Sequence, residues 1–282
     1  MRAWLDGHLY DDAAQARVSL LDHGITVGDG IFETVAVYGG RPFALEEHLE
    51  RLVRSAAAME LPIPDLDRFR EAVDALVAAE AAAEGPDHLA RLRITYTAGE
   101  APMGSDRGDA DPTYAVVHGP MSPLPTRTSA ITVPWRRNEN GALTGVKSTS
   151  YAENVLALRR ARQAGATEAI FPNTAGLLCE GTGSNVFYVI DGEIRTPTLA
   201  SGCLAGVTRA LALRWLAEDG SMPVREVDAP VEVLAEAEEV FLTSTFRDVQ
   251  AVEAVDGRAV AVGEGVRHAK SVWADRAAAL RP

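Results

Sequence analysis

Three groups of residues in this chain have types and spacing suited to chemistry. They are Lys147, the run Glu180-Gly181-Thr182-Gly183-Ser184-Asn185, and Gly206-Val207-Thr208-Arg209. A lysine amine condenses with an aldehyde when burial or a cationic neighbour keeps it unprotonated. A carboxylate at a strand–turn junction can keep a ring nitrogen protonated, which draws electrons away from a carbanion. A glycine that opens a helix leaves backbone N–H groups unsatisfied at the positive end of the helix dipole, where an anion binds. Farther along, Thr243-Ser244-Thr245 offers hydroxyls to the same anion, and Arg51 offers a planar guanidinium for bidentate contact with phosphate oxygens. Taken one at a time, these residues have ordinary uses: a solvated lysine, a capping glutamate, a plain helix start, a polar strand end and a surface ion pair.

Together and in this order, an imine-forming lysine, a ring-nitrogen partner and a phosphate cradle are the parts of a pyridoxal phosphate site. The elements that must position them can be read from periodicity. Residues 3–5 and 8–10 flank Asp6-Gly7, a two-residue hairpin signal. Residues 25–38 read as a strand interrupted at Gly28-Asp29-Gly30. Helices are expected over 45–59, where Leu49, Leu52, Val53 and Ala56 share a face and Arg51 lies off it, and over 65–83. Strands are expected at 89–97 and 113–118. The Pro- and Gly-rich run 119–125 reads as a linker between a smaller domain, 1–118, and a larger one, 126–282, that carries Lys147. In the second half, a strand near 129–134 precedes a helix at 151–164 whose apolar residues are Val155, Leu156 and Leu158. Strands at 168–172, 185–190 and 193–196, a helix over 206–218, strands near 224–228, 239–243 and 249–255, and a final helix near 264–280 complete the pattern.

Bulk properties narrow the function classes. A length of 282 residues favours two domains. The net charge of −13 gives no attraction to phosphate polymers, so nucleic-acid binding is not expected. Cys179 and Cys203 form neither a metal-ligand spacing nor a disulfide framework, which suits a cytoplasmic enzyme without a metal. No apolar run reaches the ~18 residues of a membrane span, and Met1 to Gly7 lacks a secretory apolar core. His23 and His48 read as structural, and Cys203 as a packed small side chain with no base beside it.

These segments resemble the class IV aminotransferases, the fold-type IV pyridoxal phosphate enzymes, over nearly the whole chain. The resemblance rests on Leu21-Asp22-His23-Gly24, Val27 to Thr34, Glu47 to Leu52 with Ser55, Lys147 to Ala157, Glu180 to Phe187, Leu204 to Arg209, and Thr243 to Thr245. It implies an α/β (α+β) fold of two domains with the cofactor between them, and a homodimer whose partner lends loops to the site. It also implies that Lys147 is the Schiff-base lysine and moves the proton at the substrate Cα. Arg51, Val207, Thr208, Ser244 and Thr245 would hold the phosphate, Tyr151 the cofactor 3′ oxygen and Glu180 its ring nitrogen. Phe32, Thr34 and the Arg107 loop would border the substrate.

The wording departs from the family at three places. Ser150 stands where many relatives have asparagine, and Ala98 where arginine is common. The loop from Glu100 to Asp109 lacks the Arg-x-His pair of D-amino acid transaminases and offers Arg107-Gly108, making Arg107 the candidate carboxylate binder. The expected activity is transamination between an amino acid, D-amino acids favoured, and a 2-oxo acid, in ping-pong half-reactions. L-Branched-chain amino acids and (R)-amines are competing donors. A lyase that converts 4-amino-4-deoxychorismate to 4-aminobenzoate and pyruvate would use the same lysine and cofactor. A non-catalytic descendant of the fold would have lost the lysine, the glutamate or the phosphate loop, and all three are present.

Overall fold

A computed structural model describes residues 1–84, 89–123 and 125–281. The described residues fall into two compact units: 1–123 with 146–150 and 281, and 125–145 with 151–280.

The first unit is an antiparallel sheet with helices on one face. Its strands are β1 (Arg2–Leu5), β2 (His8–Tyr10), β3 (Gly30–Tyr38), β4 (Arg41–Pro42), β5 (Ala90–Thr97) and β6 (Thr113–Pro120), in the order β2-β1-β6-β5-β3-β4. The Asp6-Gly7 hairpin forms as expected, with both residues at positive φ and Leu5 opposite His8. Helices α1 (His23–Thr26), α2 (Leu45–Ala58) and α3 (Leu66–Glu84) complete it. Leu49, Leu52 and Ala56 of α2 and Phe69, Ala72, Val73 and Leu76 of α3 pack on Ile31, Val35, Leu92 and Ile94. Because strand side chains alternate, Phe32 and Thr34 lie on the opposite face of the sheet, with Arg91, Arg93 and Thr95 of β5 beside them.

Two expectations change here. Ile25 and Thr26, expected at the start of a strand, belong instead to the helical turn 23–26, because the Asp22 carboxylate caps it by accepting the Gly24 N–H at 2.7 Å. His118, Gly119 and Pro120, placed at the start of the linker or just before it, still belong to β6, opposite Leu92, Arg91 and Ala90. Leu124 of that linker lies outside the described residues.

The second unit is a larger mixed sheet built from β7 (Arg127–Thr132), β8 (Glu168–Pro172), β9 (Leu178–Gly181), β10 (Asn185–Ile190), β11 (Glu193–Thr196), β12 (Val224–Glu226), β13 (Glu239–Ser244), β14 (Asp248–Val255) and β15 (Arg258–Ala259). Its order is β12-β11-β10-β13-β14-β7-β8-β9, with β15 on β14. Helices α4 (Ala152–Gln163), α5 (Val207–Asp219), α6 (Val233–Glu236) and α7 (Glu264–Ala278) accompany it. In α4 the buried residues are Asn154, Ala157 and Ala161, while Val155 and Leu156 are 64% and 57% exposed. Two of the three larger apolar residues named in the sequence are therefore on the surface. Small alanines let the helix approach Phe171 and Val133 closely, and the larger side chains point away.

Candidate active site

In the first unit, Lys147 is carried by a short segment laid along β3. The Phe32 N–H donates to the Lys147 carbonyl at 2.9 Å, and the Thr149 N–H to the Gly30 carbonyl at 2.8 Å. Ser148 bridges Ile31 in antiparallel fashion. This pairing groups residues 146–150 with the first unit, whereas the sequence reading assigned the lysine to the C-terminal half. The Lys147 Nζ sits 4.4 Å from the centre of the Phe32 ring, and the Arg93 guanidinium carbon 3.3 Å from the same ring. An amine and a guanidinium therefore share one aromatic ring, and Thr34 pairs with Arg93 across the sheet. The sequence reading did not single out Arg93. The signal was its period-two register with Thr95 opposite Phe32 and Thr34, which requires the β3–β5 pairing to be known.

Behind this face, Arg51 is 5% exposed and Glu33 is fully buried. Arg51 Nε donates to Glu33 Oε1 at 2.8 Å and Nη2 to Oε2 at 2.7 Å, and His48 Nδ1 lies 2.7 Å from Oε2. Burial raises the Glu33 pKa, but the charge and hydrogen bonds of Arg51, joined by His48, outweigh it and hold the carboxyl at about 2. His48 is pushed below its ordinary value, first by burial and also by the Arg51 and Lys147 charges. The arginine that lay off the apolar stripe of α2 is thus buried because a carboxylate one strand away is buried with it.

Arg107, expected to bind a substrate carboxylate, is engaged elsewhere. It forms a fork on Asp29, Nε to Oδ2 at 2.5 Å and Nη2 to Oδ1 at 2.7 Å. Its Nη1 and Nη2 also donate to the Glu60 and Met59 carbonyls, at 2.9 and 2.7 Å. Its charge is matched, and its donors fasten the loop that carries it to the end of α2.

In the second unit, Glu180 lies in β9 and Arg137 Nε is 3.3 Å from its Oε1. Arg137 is held in turn by Glu153 and Asn154, at 2.6 and 2.9 Å, and stacks on Phe171. The second Glu180 oxygen accepts the Leu204 N–H at 2.9 Å, while Asn185 donates to the Leu204 carbonyl at 2.9 Å. Glu180 and Asn185 thus clamp the peptide that leads into Gly206. Gly206 starts α5 with no side-chain cap, so the first N–H groups of the helix, those of Val207 and Thr208, have no helical partner. A Cβ on Gly206 would run into Asn185 Oδ1, so glycine is required here by space rather than by φ. The Thr243 hydroxyl is buried without a hydrogen-bond partner among the described residues, and Ser244 and Thr245 follow it at the end of β13. Tyr151 precedes α4 at its N-terminal boundary.

A partly exposed carboxylate, an uncapped helix start and a buried hydroxyl without a partner among the described residues fit a ligand that carries a basic ring nitrogen and a phosphate. No group of histidine, cysteine, aspartate and glutamate among the described residues could hold a metal ion. Among the described residues, no helix is long and apolar enough to cross a membrane.

Comparisons with known proteins agree with this chemistry. Residues 30–255 match the family model of the amino-transferases of class IV, and the chain belongs to that family. Its fold is that of the fold-type IV transaminases. The chain is 31% identical to a D-alanine aminotransferase of Staphylococcus epidermidis, over 93% of this chain and 92% of that protein. It is 32% identical to a branched-chain-amino-acid aminotransferase of Pseudomonas aeruginosa, over 92% and 86%. Among solved structures, a fold IV-transaminase from Curtobacterium pusillum aligns with a TM-score of 0.87 at 32% identity, covering 96% of this chain and 92% of that one. A PLP-bound aminotransferase from Mycobacterium tuberculosis aligns at 0.86 and 28%, covering 97% and 98%. A 4-amino-4-deoxychorismate lyase from Pseudomonas aeruginosa aligns at 0.83 and 32%, also covering 97% and 98%.

Proposed function

We propose that this aminotransferase binds pyridoxal 5′-phosphate and exchanges an amino group between an amino acid, D-amino acids favoured, and a 2-oxo acid. When bound, the cofactor supplies the electron sink that makes the substrate Cα acidic. The residues assigned to it fit the group. Lys147 would anchor it covalently and, once released, carry the proton at Nζ. Arg51, Val207, Thr208, Ser244 and Thr245 would hold the phosphate, Tyr151 the 3′ oxygen and Glu180 the ring nitrogen. Glu33 holds Arg51 in place through two hydrogen bonds, and Arg137 and the Leu204 N–H hold the two oxygens of Glu180.

The observation that carries the substrate reading is the Phe32 ring flanked by Lys147 Nζ and the Arg93 guanidinium. A carboxylate-bearing donor would meet a fixed cation a ring's width from the reactive amine, an advantage that a simple amine would not gain. Phe32 and Thr34 would border that donor. Arg107 has a matched charge and keeps its place in this reading only as the fastener of the neighbouring loop. The lean to D-amino acids draws on the likeness to D-alanine aminotransferases. The lyase reading draws on the equally high identity to an aminodeoxychorismate lyase.

The proposal includes a homodimer. Leu20, Leu21, Ile25 and Val27 of the first unit are exposed apolar residues, as are Val155 and Leu156 of the second. It also includes a cytoplasmic location, in keeping with free Cys179 and Cys203. The division into a smaller domain, 1–118, and a larger one, 126–282, belongs to the same reading, with the Lys147 segment lying on the sheet of the former.

The deciding experiment mixes the cofactor-loaded protein separately with D-alanine and L-leucine, without acceptor, and follows the cofactor absorbance. Conversion by D-alanine alone is expected. Conversion by L-leucine alone would move the protein to the branched-chain class. No conversion by either, with pyruvate released from 4-amino-4-deoxychorismate, would establish the lyase.

A further inference from the structure

Glu168 opens β8 and is buried. Donors from three separate segments converge on its carboxylate. Oε1 accepts the Ala169 N–H and the Thr182 N–H, each at 3.0 Å, and the Thr182 hydroxyl. Oε2 accepts the Ser184 hydroxyl at 2.8 Å and lies 3.3 Å from Arg247 Nη2. Thr182 and Ser184 form the turn that follows Glu180. Arg247 belongs to the turn between β13 and β14, where its own N–H donates to Ser244 Oγ at 3.2 Å. Gly181 fits the same arrangement, since a Cβ there would strike Ser184 Oγ and press within 3.1 Å of Glu168 Cδ.

A buried carboxylate that served only its own strand would not need partners from two distant turns. Each of these turns ends beside a residue that the proposed function uses: Glu180 at one, Ser244 and Thr245 at the other. We infer that Glu168 is a positioning residue that sets the spacing between the ring-nitrogen carboxylate and the phosphate-side hydroxyls, by fastening both turns to one buried anion. The inference rests on the cofactor reading above and deepens it. It separates two kinds of ligand: a molecule that engages both ends feels the spacing, and a molecule that engages only the phosphate end does not.

The test measures the affinity of the cofactor-free full chain for pyridoxal phosphate and for inorganic phosphate. Glu168→Gln keeps the shape but loses the charge and one acceptor. It is expected to weaken pyridoxal phosphate binding by about tenfold and to leave inorganic phosphate within about twofold. Unchanged affinity for pyridoxal phosphate, or an equal loss for both ligands, would overturn the inference, the second because it marks a merely structural role. If Glu168→Gln is not recovered folded, Ser184→Ala keeps the carboxylate and removes a single donor. A loss confined to pyridoxal phosphate supports the spacing role, and no loss or an equal loss refutes it. Glu180→Gln and Ser244→Ala are measured in the same series. If these also leave pyridoxal phosphate affinity unmoved, it is the cofactor assignment that has failed; if they lower it and Glu168→Gln does not, only the role of Glu168 has.

Discussion

Glu33 and Arg51 meet side-on in the interior, with Nε on one carboxylate oxygen at 2.8 Å and Nη2 on the other at 2.7 Å. This pair makes stability depend on pH in a defined direction. Glu33 titrates at about 2 in the folded chain against 4.5 when unfolded, so its contribution is present above pH 4.5 and is lost as pH falls toward 2. His48 is also depressed, so acidification below its unfolded value of 6.5 favours the unfolded chain as well. Urea unfolding at pH 7, 5 and 3 should show stability falling at each step. Glu33→Gln should lower stability at pH 7 by about 3–5 kcal/mol, by leaving a buried guanidinium unpaired, and should flatten the acid limb. A variant with wild-type stability at neutral pH would mean that Arg51 is satisfied without Glu33.

Lys147→Ala removes the only side-chain amine assigned to the chemistry. Turnover should fall by at least about 10²–10⁴, the span of a lost general acid–base group. The absorbance of the lysine-bound cofactor should vanish, while Phe32 keeps its backbone bond to the Lys147 carbonyl. A spectrum and turnover like wild type would remove Lys147 from the reaction.

Glu180→Gln keeps an acceptor for the Leu204 N–H and loses only the charge. The first half-reaction should slow by about 10²–10³, as when a fixed stabilising group is removed from developing charge. Single-turnover absorbance with excess amino acid measures it. Glu180→Ala also releases the Leu204 peptide and should weaken phosphate-end binding as well, a second effect that separates charge from clamp.

Gly206→Ala places a methyl against Asn185 Oδ1. Backbone strain is not the cause, since φ at this residue is −63°. The expected cost is about 1–3 kcal/mol of stability, as for other overpacked sites. Asn185→Ala in the same chain should recover part of that loss. Absence of any recovery in thermal unfolding would show that the crowding arises elsewhere.

Arg93→Gln and Arg107→Gln separate the two candidate carboxylate partners. Loss of Arg93 should raise KM for the amino acid by about tenfold or more, the worth of a charged hydrogen bond. Loss of Arg107 should chiefly lower stability, because Asp29 loses its guanidinium partner and the loop loses its anchor to the end of α2. Steady-state kinetics with a single donor and acceptor pair decides between them. A KM effect confined to Arg107→Gln would return that residue to the substrate site.

Much of this was legible from local wording. Asp6-Gly7 fixed a hairpin because two positive-φ residues between strands leave few alternatives, and Lys147, Glu180 and Gly206 stood out by type and order. What local wording could not show was the identity of a residue's neighbours. Arg51 is buried only because β3 brings Glu33 to it. Glu168 looked like the first residue of an apolar strand, and its partners come from turns that are distant in the chain. α4 buries Ala157 and Ala161 and exposes Val155 and Leu156, the reverse of what side-chain size suggests, because a close helix–strand approach favours small residues. The capped turn at 23–26 was hidden for another reason: Asp22 overrides a β-branched run that would otherwise read as strand.

The grouping of residues 146–150 and 281 with the first unit has a bearing on biosynthesis. The Arg281 side chain stacks over Tyr38 and hydrogen-bonds its hydroxyl at 3.0 Å. A ribosome that has made β1 to β6 has therefore not yet made everything that unit needs. The exposed edge of β3 stays bare until Val146 to Ser150 emerge, and Tyr38 lacks its cationic cover until Arg281 does. Domain-by-domain folding during synthesis is the general habit of chains of this size. Here the N-terminal unit is completed only by residues made later, and a gene cut after Pro123 would yield a sheet with an unpaired edge and no lysine.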